Sequence, residues 1–138
     1  MLIQAAASQI RNGDVEQDYR QNSNFQYLCG FLESDAVLVL SNHATGPVSS
    51  VFCRSKDKLQ EIWHGRRLGV EAAPGALNID QAFAIDSLAE KLLELLDGAS
   101  QMLYCFSRED TQQLVQHSLQ QLRALSRQGK QCPTYLAD

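Results

Sequence analysis

The run Ala36-Val37-Leu38-Val39-Leu40 limits the fold more than any other feature of this chain. Its apolar character is continuous, with no alternation, and it is far too short to span a bilayer. A run of that kind suits a strand covered on both faces, which requires further layers above and below it. Val48 to Arg54 reads as a second strand, with Val51 and Cys53 on one face and Phe52 on the other. The polar connection Ser41-Asn42-His43-Ala44-Thr45-Gly46-Pro47 holds a Gly-Pro breaker, so the pair is expected to form an antiparallel hairpin with a long loop. Leu2 to Ala6 reads as a further short buried strand.

Asn12-Gly13-Asp14 is a turn signal. The segment from Tyr19 to Phe31 carries four aromatics, Tyr19, Phe25, Tyr27 and Phe31. Ser23 is expected to cap a short helix presenting Phe25 and Leu28, with Gly30 as its breaker. In the second half the rhythm changes. Ala82 to Ile85 is a short strand, Ser87-Leu88-Ala89-Glu90 has capping-box form, and Leu88, Leu92 and Leu95 recur at helical spacing before Gly98. Met102 to Phe106 is another strand. Ser107-Arg108-Glu109-Asp110 then starts a helix whose stripe is Leu114 or Val115, Leu119, Leu122 and Leu125. The expected class is α/β, a mixed β-sheet flanked by helices, as one domain over residues 1–138.

Charge narrows the partners. Twelve basic against sixteen acidic residues leave a net charge of −4, a poor match to a phosphate backbone, so nucleic acid is not an expected partner. Nor is a membrane, since the longest apolar run is far short of a bilayer span. The start, Met1-Leu2-Ile3-Gln4-Ala5-Ala6-Ala7-Ser8, lacks the basic and long apolar regions of a signal peptide and reads as a strand. Cys29, Cys53, Cys105 and Cys132 are 24, 52 and 27 positions apart, without a zinc or redox pair, and the cytoplasm is the expected compartment. Cys132 is expected to be an exposed thiol.

Familiar catalytic motifs are missing: there is no G-x-S-x-G elbow, H-E-x-x-H, Walker loop or G-x-G-x-x-G. His43 and His117 read as solvated. Glu61 and His64 have Glu-x-x-His spacing, but the second such pair that a bundle metal site needs is absent, so no metal site is expected. Two patches remain. One runs from Arg11-Asn12-Gly13-Asp14 to Tyr19-Arg20-Gln21-Asn22-Ser23-Asn24-Phe25-Gln26-Tyr27. The other is Ile62-Trp63-His64-Gly65-Arg66-Arg67-Leu68-Gly69. The second is either a tryptophan lid on the core or a projecting loop that meets a partner or substrate. The neighbouring glycines and polar side chains favour an exposed Trp63.

These patches resemble a known family. Arg11-Asn12-x-Asp14, Tyr19-Arg20-Gln21-Asn22-Ser23-Asn24-Phe25-x-Tyr27-Leu28-x-Gly30-Phe31, the strand Ala36 to Leu40, and Glu61-Ile62-Trp63-His64-Gly65-Arg66-Arg67-Leu68-Gly69 with Ala72-Ala73-Pro74 are similar to the N-terminal domain of aminopeptidase P, the Xaa-Pro aminopeptidases. The sequence departs from that pattern at Gln17-Asp18, His64 and Cys29. The resemblance implies the creatinase/prolidase N-terminal fold, which is ribonuclease-H-like. It also implies a catalytic pita-bread domain outside this chain, where two aspartates, a histidine and two glutamates hold two manganese ions that activate water for hydrolysis.

By the same resemblance, Trp63 and Asp14 help to enclose the active site of a neighbouring subunit, with Arg66, Arg67 and Arg20 as loop or interface candidates. The implied partners are the catalytic domain, neighbouring subunits and the peptide substrate. This chain alone is expected to be inactive, with no catalytic or metal-binding residues of its own. The competing function is a stand-alone peptide-binding or protein-interaction module with the same fold.

Overall fold

A computed structural model describes residues 1–6, 10–11, 15–16, 21–43, 46–64 and 66–138. Strand β1 (Leu2–Gln4) is followed by a small antiparallel ladder of β2 (Ile10–Arg11) with β3 (Val15–Glu16). The Asn12-Gly13-Asp14 turn between them lies outside the described residues. Helix α1 (Ser23–Cys29) leads to the hairpin of β4 (Val37–His43) and β5 (Gly46–Cys53). Helices α2 (Lys58–His64) and α3 (Ala73–Leu77) precede β6 (Gln81–Ala84), then come α4 (Leu88–Leu96), β7 (Gln101–Leu103), α5 (Glu109–Ala124) and β8 (Tyr135–Ala137).

The main sheet has four strands in the order β1-β4-β5-β6. β1 and β5 each pair antiparallel with β4, whereas β6 runs parallel to β5, so the sheet is mixed as expected. The apolar run is central, and its side chains divide between two cores. Val37, Val39, Leu2 and Phe52 face Leu92 and Leu96 of α4 and Val115, Leu119 and Leu122 of α5. Leu38, Val51 and Cys53 face Phe25 of α1, Phe31 and Ala73 of α3. The sheet is therefore the middle of three layers.

Several local expectations are corrected. The hairpin is longer and its loop shorter, because pairing continues through Ser41–Val48 and Asn42–Pro47 to His43–Gly46. Pro47 is tolerated because β6 pairs only with Ser50 to Cys53, so no neighbour on that side needs its missing N–H. β7 pairs parallel with β8, a strand the sequence pattern did not reveal, in a separate two-stranded sheet. In α4 the buried positions are Leu92 and Leu96 rather than a stripe ending at Leu95. Cys132 is half-buried against the core, and Cys105 is the exposed thiol. His117 is exposed, as expected.

The caps also shift. Asn22, not Ser23, caps α1, and its side-chain oxygen accepts from the amides of Asn24 (3.0 Å) and Phe25 (3.1 Å). Gly30 ends this helix at φ 69°, where a Cβ would be strained. Asn22→Ala is expected to lower stability by about 0.5–2 kcal/mol in urea unfolding, with Asn22→Ser nearly neutral. The Ser87 capping box does not form. A 3-10 turn over Ile85–Ser87 precedes α4 and directs the Ser87 hydroxyl back to the carbonyl of Ala84 at 2.7 Å.

Candidate functional site

The second patch is partly helical rather than a free loop. Asp57 starts α2 by accepting from the amide of Leu59 at 3.0 Å through its side chain and from that of Glu61 at 2.9 Å through its carbonyl. The helix runs through the backbone of Trp63 to His64. Its apolar residues Leu59 and Ile62 point outward, 70% and 74% exposed. Apolar helix residues ordinarily face the core, and these two do not.

Two carboxylates hold the chain that follows. Glu61 accepts from the amide of Arg67 at 2.7 Å. Glu33, from the segment after α1, accepts from the next amide, Leu68, at 2.8 Å and from the Arg54 guanidinium at 3.3 Å. The Glu33 and Arg54 side chains are only 16% and 21% exposed, so water screens this pair less than a surface bridge. Arg67 donates to the carbonyl of Ser55 at 3.1 Å. Gly69 closes the loop at φ 82°, with Lys56 so near that an added Cβ would stand 2.9 Å from its Cγ. Glycine is required there both by conformation and by space.

The first patch reaches the same place through Gln21. Its side-chain oxygen accepts from the amides of Ala6 and Asn22, both at 2.9 Å. Its nitrogen donates to the carbonyls of Phe31 (3.0 Å) and Glu33 (2.9 Å). Gln21 is buried, and this network satisfies it. Phe25 and Phe31 are core, while Tyr27 is 89% exposed.

Asp14 and Arg20 lie outside the described residues, and so does the side chain of Trp63. Arg66 is exposed; Arg67 is half-buried, with its guanidinium turned to Ser55. Glu33, the loop-holding role of Glu61, and Gln21 were missed. Acids placed before a glycine-bracketed arginine pair were the only available signal, and for Glu33 the contact spans 35 positions. Glu61 is engaged by a backbone amide, and among the described residues no group of three or more His, Cys, Asp or Glu could hold a metal ion. No described helix is long and apolar enough to cross a membrane.

Thiol chemistry differs by site. The Ser107 hydroxyl, 3.0 Å from Cys105 Sγ, holds that thiol below its ordinary range, whereas burial pushes Cys29 and Cys53 up. The thiolate is the nucleophile, so iodoacetamide should alkylate Cys105 first, with its rate rising at lower pH than for Cys29 or Cys53. Peptide mass spectrometry reads the order; equal or faster labelling of Cys53 would contradict it.

The fold is a mixed sheet between helical layers, with Gln21 and Leu68, one from each patch, both hydrogen-bonded to Glu33. Residues 1–104 match the family described as aminopeptidase P, N-terminal domain, and the chain belongs to that family. It is 40% identical to the Xaa-Pro aminopeptidase of Escherichia coli (strain K12), over 99% of this chain and 32% of that protein. It is 27% identical to human Xaa-Pro aminopeptidase 3, over 86% of this chain and 24% of that protein. Among solved structures, proline aminopeptidase P II from Yersinia pestis superposes with a TM-score of 0.93 at 39% identity, covering 99% of this chain and 32% of that one. The chain thus spans about a third or less of the relatives it matches.

Proposed function

We propose that this chain is the N-terminal accessory and oligomerisation domain of a manganese-dependent, cytoplasmic Xaa-Pro aminopeptidase. The reaction is hydrolysis of the bond between an N-terminal residue and a following proline. The domain helps to enclose the active site of a neighbouring subunit: Trp63 supplies an apolar wall for the peptide, and Asp14 orders the loops beside it.

The observation that carries this reading is the 66–69 loop, held by carboxylates on two consecutive amides next to a helix with outward-facing Leu59 and Ile62. A chain gains little by fixing an isolated surface loop so firmly. Fixing a loop that must meet another surface reduces the ordering cost at contact. The described residues do not fit a metal site, so the two manganese ions are assigned to a catalytic domain encoded outside this chain. No chemical step is therefore assigned to residues of this domain.

The test is to express the complete product of the gene with Mn²⁺ and assay it on Xaa-Pro peptides, with sedimentation to read its assembly. Release of the first residue by an oligomer is expected. A coding sequence that stops after Asp138, or a product that leaves the peptides intact, would overturn the proposal in favour of a stand-alone interaction module.

A further inference from the structure

We infer that Glu33 is a positioning residue that couples the two motif-bearing patches, so that the segment around Gln21 and the 66–69 loop are held as one unit. The inference rests on the enclosure reading above for its functional consequence and on hydrogen bonds alone for its physical content. Glu33 is bonded on both sides of the junction. Its carbonyl accepts from Gln21, which in turn takes the amides of Ala6 at the end of β1 and Asn22 at the cap of α1. Its carboxylate accepts from Leu68 in the loop and from Arg54, just after β5.

Glu61 cannot do this work. It belongs to α2, so its bond to Arg67 fastens the loop to its own helix and makes no link to the first patch. Glu33 comes from a different part of the chain and ties that unit to the sheet and to the first patch. Two acceptors from separate elements on adjacent amides hold the two peptide units on either side of Arg67. The charge on Glu33 strengthens its amide bond, and Arg54 keeps the carboxylate in place.

Amide hydrogen exchange on the 138-residue chain, resolved by NMR, tests the coupling directly. Glu33→Ala is expected to speed exchange at Leu68 by about tenfold or more and at Ala6 and Asn22 by less, leaving core amides such as Val39 unchanged. Glu33→Gln retains an acceptor oxygen and should recover much of the protection. Glu61→Ala should expose Arg67 while Ala6 and Asn22 stay protected. Unchanged exchange at Leu68, unchanged exchange at Ala6 and Asn22, or equal acceleration throughout the core would overturn the inference.

Kinetics of the complete enzyme form a second arm. There Glu33→Ala should raise KM several-fold more than it lowers kcat, with Glu33→Gln restoring KM. If exchange responds and KM does not, the coupling stands and the enclosure reading falls.

Discussion

Replacing Phe52 with alanine should destabilise the chain by about 3–5 kcal/mol, a large share of the 5–15 kcal/mol that holds an ordinary domain together. Phe52 is fully buried on the central strand β5, opposite Val37 of β4 and beside Phe83 of β6, with the two ring centroids 5.4 Å apart. The helices α4 and α5 cover it through Leu92, Leu119 and Leu122. Strands on both sides prevent the backbone from collapsing into the space the ring leaves, so most of the cavity persists. Tyr27, exposed on α1, supplies the contrast: Tyr27→Ala should change stability by less than about 0.5 kcal/mol. Urea unfolding of both variants checks the pair. A loss below about 1 kcal/mol for Phe52→Ala would mean that the two-sided core is misdescribed.

The second large effect concerns activity. In the complete enzyme, Trp63→Ala should lower kcat/KM for short Xaa-Pro peptides by roughly ten- to a hundredfold, which corresponds to about 1–3 kcal/mol of transition-state stabilisation. An indole provides a large, stiff apolar wall at low entropic cost, and alanine leaves water in its place. Under the proposed function the metal ligands belong to the catalytic domain, so the metal content should not change. Metal analysis beside steady-state kinetics separates the two outcomes. Unchanged kcat/KM would reduce Trp63 to a packing residue.

Much of this architecture was legible because apolar periodicity reports burial. Ala36 to Leu40 declared a two-sided strand, and the opposite facing of Val51 and Phe52 follows from strand geometry alone. The pattern failed where burial is not what holds an element. Helix α2 turns Leu59 and Ile62 outward, against the rule that apolar residues mark the core-facing side. β8 is three residues long, and its place depends on β7, more than thirty positions earlier. At α1 two adjacent residues could cap, and only the geometry chose Asn22 over Ser23.

The candidate site was legible as two motifs but not as one object. The residues themselves singled out the patches, and the family resemblance implied roles for Trp63 and Asp14. Neither spacing nor composition could show that Glu33 joins them, since its partners Gln21, Arg54 and Leu68 are contributed by three separate segments. Long-range polar contacts leave no periodic trace in a sequence. They emerge only once the sheet has set the distances between loops.

Subunit mixing tests the central claim most directly. Complete enzyme carrying Trp63→Ala, with its catalytic domain intact, is co-assembled with subunits that retain Trp63 but have an inactivated catalytic domain. Neither parent preparation should cleave Xaa-Pro peptides efficiently. If this domain encloses the neighbouring subunit's active site, the mixed oligomers should regain activity well above the sum of the two parents, because intact Trp63 and intact chemistry then meet across the interface. Activity equal to that sum, in oligomers shown to be mixed, would contradict the account.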